Sequence, residues 1–260
     1  MDEIDAVQFE RRGSLAFVTL HRPEKLNALT VAMLTRLDAI AAELEMSTDI
    51  RAVVLTGTGS KAFCVGADID EWSALAPMDM WRRWVPRGHR VFDRWATLRV
   101  PVIAAINGHA FGGGFELACT ADIRIADPAA TFALPEAAIA TCPGWSGTQR
   151  LVSLLGSSRV KWLALTGRRV DAKRAHEMGL VDEIAATGRA FEAAVALAEQ
   201  LAGLAPVSVQ LTKQLINAAN GEGAAAALEA MAGALAATTA DASEGVMSFR
   251  QKRTAHFKGQ

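Results

Sequence analysis

The chain of 260 residues has little cysteine: Cys64, Cys119 and Cys142 lie far apart, with no C-x-x-C and no cysteine–histidine spacing. A disulfide framework and a structural zinc are therefore not expected. Three lone thiols fit a reducing cytosol, each as a small buried apolar residue. Neither charge is in excess, because 27 basic and 28 acidic residues leave a net charge of -1. Nothing pulls the whole surface toward nucleic acid or an anionic membrane, so an anionic ligand needs a local basic patch. Long apolar runs are missing as well. Even the alanine-rich stretch 224–237 is interrupted by Glu229, and no segment is expected to span a bilayer. The opening MDEIDAVQ is acidic and lacks the basic-then-apolar order of a signal peptide. His21, His89, His109, His176 and His256 are too scattered for a metal site. The expectation is a soluble cytoplasmic protein with no metal, no nucleic-acid partner and no membrane.

What is present is a globular composition, 51% apolar against 21% charged, in a chain long enough to bury a large core. Residues 7–20 read as a hairpin around Arg12-Gly13-Ser14. Thr30 is expected to cap a helix whose Met33, Leu34, Leu37, Ile40, Ala41 and Leu44 recur at helical spacing. Residues 52–56 and 102–106 are short continuous apolar runs, each ended near a glycine, as in strands buried on both faces. A helix is expected at 115–120, and short strands at 123–125 and 131–133. Strand, loop and helix alternate, which favours a layered α/β architecture with crossover connections. From Ser146 the chain is mostly helical apart from 180–184. Its alanine-rich part, 191–242, suggests helices packed on a neighbouring subunit.

Three constellations carry chemistry. In Val102-Ile-Ala-Ala-Ile-Asn-Gly-His-Ala-Phe-Gly-Gly-Gly-Phe-Glu-Leu-Ala118, three glycines at a helix mouth let a ligand approach the backbone and leave N–H groups aimed outward. Such groups bind a phosphate or a developing oxyanion. The phosphate reading is weak, since neither G-x-G-x-x-G nor a following Lys-Ser or Lys-Thr is present. Glu116, one short turn on, favours the oxyanion reading, because an enolate needs proton donors and acceptors near its carbon. Lys61-Ala-Phe-Cys-Val-Gly-Ala-Asp-Ile69 is by itself a glycine loop after a strand. Phe132-Ala-Leu-Pro-Glu136, followed by Pro143-Gly-Trp-Ser-Gly-Thr-Gln149, sets a carboxylate beside a proline-stiffened turn ahead of another glycine-opened helix.

In this order, the three pieces resemble the crotonase (enoyl-CoA hydratase/isomerase) superfamily. Arg22-Pro-Glu-Lys-Leu-Asn-Ala-Leu29 and the stretch from Glu244-Gly to Phe257-Lys258 extend the resemblance over nearly the whole chain. The resemblance implies an α/β crotonase-like spiral of repeated β-β-α units over 1–190. A C-terminal helical trimerisation region over 191–260 would give a homotrimer or a dimer of trimers. It implies an acyl-CoA substrate, with coenzyme A as part of that substrate and no separate cofactor. The thioester oxygen is placed between the N–H groups of Ala67 and Gly113, and Glu116 and Glu136 match the two hydratase glutamates. The reaction expected is hydration of a 2-enoyl-CoA, or its reverse. Glu136 would protonate the α-carbon and Glu116 hold the water, if their surroundings push their pKa values apart. Ala28, Gly66, Asp68, Ile69, Gly112, Gly144 and Trp145 are expected around the substrate. Lys25, Lys61 and, from a neighbouring subunit, Lys252 are candidates for the CoA phosphates.

Other readings stand beside this one. A sibling reaction on the same fold, such as double-bond isomerisation or thioester hydrolysis, is the nearest. A non-catalytic acyl-CoA binder is disfavoured by the presence of both glutamates, and a nucleotide-binding oxidoreductase by the missing fingerprint. Trp145 and Ser146 stand where the family usually has small residues. Trp145 either points into the core or shapes the acyl pocket. Ser146 reads as a helix N-cap, and Gly144-Trp-Ser-Gly-Thr148 fails the G-x-S-x-G nucleophile elbow at Thr148. His109 and His176 read as packing residues, each of the three lysines alone as a solvated surface residue, and Asp68 as a group that orients its loop. Trp72, Trp81, Trp84 and Trp95, with Met78 and Met80, form either core or a partial substrate lining.

Overall fold

A computed structural model describes residues 6–260. The hairpin forms as expected, from β1 (Val7–Arg12) and β2 (Leu15–Leu20). Helix α1 (Val31–Met46) buries the six apolar residues that its periodicity picked out, and the Thr30 hydroxyl accepts from the Met33 N–H at 3.1 Å.

The following segments run β3 (Ala52–Gly57), β4 (Ala62–Cys64), α2 (Ile69–Trp72), α3 (Pro77–Asp79), a π-helical turn (Met80–Trp84) and α4 (Val85–Ala96). Then come β5 (Val102–Ile106), β6 (His109–Phe111), α5 (Gly113–Ala118), β7 (Ile123–Ala126) and β8 (Thr131–Ala133). A 3-10 turn (Glu136–Ile139) leads to α6 (Gly147–Leu155), α7 (Ser157–Thr166), β9 (Val170–Asp171), α8 (Ala172–Glu177) and β10 (Glu183–Ile184). Helices α9 (Ala190–Ala202), α10 (Pro206–Ala219), α11 (Ala224–Ala237) and α12 (Ala240–Gln251) finish the chain.

One sheet has the order β1-β2-β3-β5-β7-β10 and is parallel from β2 onward; the other is β4-β6-β8-β9. The chain therefore passes from the first sheet to the second and back through a helix: β3-β4-helices, β5-β6-α5, β7-β8-helices. This is the spiral of β-β-α turns that the motifs imply.

Strands β3 and β5 are buried throughout because both faces are covered. Val53, Leu55, Val102, Ala104 and Ile106 enter the main core. Ala52, Val54, Ile103 and Ala105 face a second apolar layer closed by Ala190, Ala194 and Ala198 of α9. The four-residue spacing of these alanines puts them on one helical face, and their small side chains let α9 approach the sheet closely.

One compact unit runs to Leu211 and the other from Thr212 to Gln260. Position 191, the expected boundary, lies inside the first unit, one residue into α9, the helix that covers the sheet. In the second unit, Thr239 caps α12 by accepting from the Ala242 N–H at 3.1 Å. Leu228, Leu235, Met247 and Phe249 of that unit are exposed. Among the described residues no single helix is long and apolar enough to cross a membrane.

Candidate active site

The site begins with how the first motif is stitched to the second. The Arg22 guanidinium donates to Asp68 Oδ2 at 2.5 Å and to the Ala28 carbonyl at 3.2 Å. The Asn27 amide donates to the carbonyls of Thr58 and Ala62, both at 3.0 Å. Leu29 then bridges the loop: its N–H donates to the Gly66 carbonyl and its carbonyl accepts from the Asp68 N–H, each at 2.8 Å. Ala67 lies between these two bonds with its own N–H directed away. Burial alone would raise the Asp68 carboxyl pKa, but Arg22 and the N–H groups of the following turn hold it below the usual range. Asp68 therefore orients the loop, as the sequence suggested.

The three consecutive glycines meet three different demands. Gly112 has φ +50, and a Cβ there would come within 3.0 Å of Glu136 Oε1. A Cβ on Gly113 would lie 2.8 Å from the Trp145 ring, and one on Gly114 2.1 Å from the Cys64 carbonyl oxygen. The Gly112 N–H donates to the Ala133 carbonyl at 3.0 Å, and α5 begins at the next residue, where the N–H has no intrahelical acceptor. Among the described residues neither the Ala67 nor the Gly113 N–H has a hydrogen-bond partner. A Cβ placed on Gly113 would be 3.6 Å from the Ala67 nitrogen, so the two donors are neighbours across the cavity wall.

Glu116 follows on α5 and is buried. Its Oε1 accepts from the Trp145 N–H at 3.0 Å and the Gly147 N–H at 2.9 Å. Gly147 has to be glycine, because a Cβ there would lie 2.3 Å from Glu116 Cγ. Burial raises the Glu116 pKa, and the backbone N–H groups of the loop work against that rise. Glu136 opens the 3-10 turn after Pro135. Its Oε2 is buried without a hydrogen-bond partner. Burial, with the Glu116 charge as a lesser cause, raises its pKa to about 7.

Gly66, Ala67, Ile69, Gly112, Gly113, Glu116, Glu136, Gly144 and Trp145 line one cavity of about 250 Å³. The remaining expected residues lie outside its lining. Ala28 and Asp68 hold the loop behind it. Lys25 is exposed and pairs with Asp70 at 3.2 Å, and Lys61 is exposed. Lys252 ends α12 in the second unit, exposed, at φ +52.

Ser146 corrects its sequence reading. It precedes α6, but its hydroxyl caps nothing; it sits at φ +67 and donates to Asp93 Oδ1 at 2.9 Å. The same oxygen accepts from Arg150 at 2.8 Å, and Asp93 Oδ2 pairs with His89 Nδ1 at 2.8 Å. Asp93 and His89 thus brace the loop that holds Glu116. Sequence reading missed both, although their i,i+4 spacing on α4 was a visible signal. Cys142 is a second correction, being exposed at the cavity rim, while Cys64 and Cys119 are buried with thiols pushed up to about 12 by desolvation. The tryptophans divide between roles: Trp72 and Trp84 line the cavity with Met80, Trp95 is core, and Trp81 and Met78 are exposed. Trp145 is both core and lining. His109 bonds Thr131 Oγ1 at 2.7 Å and stacks on Phe111, a packing role.

Comparison with known proteins agrees with this geometry. A family model for enoyl-CoA hydratase/isomerase matches residues 10–260. A short-chain-enoyl-CoA hydratase of Clostridium acetobutylicum is 40% identical over 215 residues, 83% of this chain and 82% of the relative. The mitochondrial enoyl-CoA hydratase of Pongo abelii is 37% identical over 258 residues, 96% of this chain and 87% of that protein. The crystal structure of an enoyl-CoA hydratase from Bacillus anthracis superposes with TM-score 0.81 at 35% identity, covering 98% of this chain and 100% of the other. With the glycine-built donor pair and both glutamates on one cavity, and with these matches along its length, the chain belongs to the enoyl-CoA hydratase/isomerase family.

Proposed function

We propose that the protein adds water across the conjugated double bond of a 2-enoyl-CoA, and catalyses the reverse dehydration, with Glu116 and Glu136 sharing one proton. The observation that carries this reading is the unequal pair of carboxyls on one cavity beside two unpaired backbone N–H groups. Glu116 removes a proton from a water as its oxygen attacks the β-carbon. The π electrons move to the thioester oxygen, held by the Ala67 and Gly113 N–H groups, where such a donor is typically worth ~3 kcal/mol. As the enolate collapses, the α-carbon takes a proton from Glu136. One proton then passes from Glu116 back to Glu136 and restores the starting state, so the atoms of one water are added and nothing else is consumed. The reading calls for no cofactor beyond the CoA of the substrate.

Binding of the CoA portion by Lys25, Lys61 and the Lys252 of a neighbouring subunit belongs to the same proposal. So does assembly as a homotrimer or dimer of trimers, supported by the exposed apolar residues of α11 and α12. A cytoplasmic location fits three cysteines without a disulfide.

The test is loss of enoyl absorbance with a panel of 2-enoyl-CoAs, with the product identified by mass. Gain of one water, abolished in Glu136→Gln, is the expected result. A product of unchanged mass with a shifted double bond would identify an isomerase instead.

A further inference from the structure

Trp145 is the departure from the family pattern that hydration itself does not use through its side chain, and its surroundings give it a definite position. The ring is held from three sides. A Cβ on Gly88 of α4 would lie 2.2 Å from Trp145 Nε1, so the indole rests directly on the α4 backbone. The opposite ring edge, Cε3 and Cζ3, lies against Gly113. Trp84 and Phe92 close the remaining side, with ring centroids 5.4 and 5.3 Å away. Trp145 is only 3% exposed, yet it lines the cavity. Trp145 and the fully buried Phe92 belong to the same core cluster.

A thioester oxygen held at the Gly113 N–H brings the acyl group over this ring. We propose, on the strength of the enoyl-CoA reading above, that the Trp145 indole is the floor of the acyl pocket and restricts the enzyme to short-chain acyl groups. Ile69 and Ile139, both about half exposed, stand at the cavity's open side and do not deepen it. Gly88 is the positioning residue: only glycine lets the indole lie back far enough to leave room above it. The bond from the Trp145 N–H to Glu116 is a backbone bond, so replacing the side chain enlarges the pocket while keeping that donor.

The experiment measures Kd for butanoyl-CoA and octanoyl-CoA by calorimetry in the native protein, Trp145→Ala, Trp145→Leu and Gly88→Ala. Each newly buried methylene is worth about fourfold in affinity. The native protein should prefer butanoyl-CoA. Trp145→Ala should move the ratio toward octanoyl-CoA by at least about tenfold, with Trp145→Leu moving it the same way if the alanine variant does not fold. Gly88→Ala, which pushes the indole into the cavity, should move the ratio the opposite way. A native preference for octanoyl-CoA, or ratios that do not change among the variants, overturns the proposal. Turnover of the matching 2-enoyl-CoAs, run in parallel, reports separately on the reaction. Absent turnover with shifted binding ratios would sink the hydratase reading and leave the floor in place.

Discussion

Around Glu116 the loop 144–147 folds back so that two backbone N–H groups meet one carboxyl oxygen, whereas the turn that carries Glu136 leaves a buried oxygen with no donor at all. Both carboxyls are buried and both pKa values are raised by desolvation, but Glu116 is compensated by the N–H groups of Gly144, Trp145 and Gly147, and Glu136 only by its own backbone N–H. The less compensated carboxyl keeps its proton near neutrality, which suits it to donate to carbon. A hydrogen-bonded one is held in a single orientation and suits the placing of a water. In the proposed reaction the division of labour follows from backbone geometry rather than from residue type, since both groups are glutamates.

The largest effect expected from breaking this pair is on turnover. Glu116→Gln and Glu136→Gln should each lower kcat by about 10²–10⁴-fold, with little change in Kd for a saturated acyl-CoA measured by calorimetry. Equal turnover in either variant and the native protein would remove that glutamate from the reaction.

Stability should separate the two regions next. The folded pKa of Glu136, about 7, lies above its ordinary value of 4.5. Its contribution favours folding below that ordinary value and is lost as pH rises through 7. By pH 8 the native protein should therefore have lost about 3 kcal/mol relative to Glu136→Gln. Denaturant melts of both proteins at pH 4.5 and pH 8 measure this difference. A constant gap between the two proteins would mean that Glu136 titrates normally.

The pH dependence of the reaction sharpens the comparison further. The competent enzyme carries one proton on the pair, so kcat/KM for hydration should fall as pH rises through about 7. Hydration takes up no net proton, so dehydration must show the same falling limb. Initial rates across pH 5–9 with a 2-enoyl-CoA and with the matching 3-hydroxyacyl-CoA check it, and a rise through 7 would exclude Glu136 as the acid.

The smallest effect expected is at the brace behind Glu116. Ser146→Ala removes one hydroxyl bond to Asp93, worth about 1 kcal/mol. It should lower the melting temperature by a few degrees while leaving the Glu136-dependent limb of the pH profile in place.

The strands of the six-stranded sheet, β8, α1 and the glycine-flanked Glu116 were legible because local patterns determine them: continuous apolar runs, helical spacing, and glycines where the backbone must approach something. Strands β4, β6 and β9, of two or three residues each, were not, because so short a run carries no period of its own. The use of each glycine was not legible. That Gly114 packs on the Cys64 carbonyl, or that Gly147 makes room for Glu116, depends on elements brought together from far apart in the chain. Ser146 was misread for the same reason, since at the start of α6 it looks like a cap and only the fold brings Asp93 of α4 to its hydroxyl. Alanine-rich α9 was assigned to the C-terminal helical region because composition does not reveal that its small face covers the sheet. The four tryptophans of residues 72–95 look alike in sequence, and only the path of the helical segment around the cavity sorts lining from core and surface.

The most direct test of the unequal pair is a carbon-13 NMR titration of the glutamate carboxyls, with Glu136→Gln used to assign one resonance. The account requires a carboxyl that titrates near pH 7 and disappears in that variant. A Glu136 resonance titrating between 4 and 5 would contradict it.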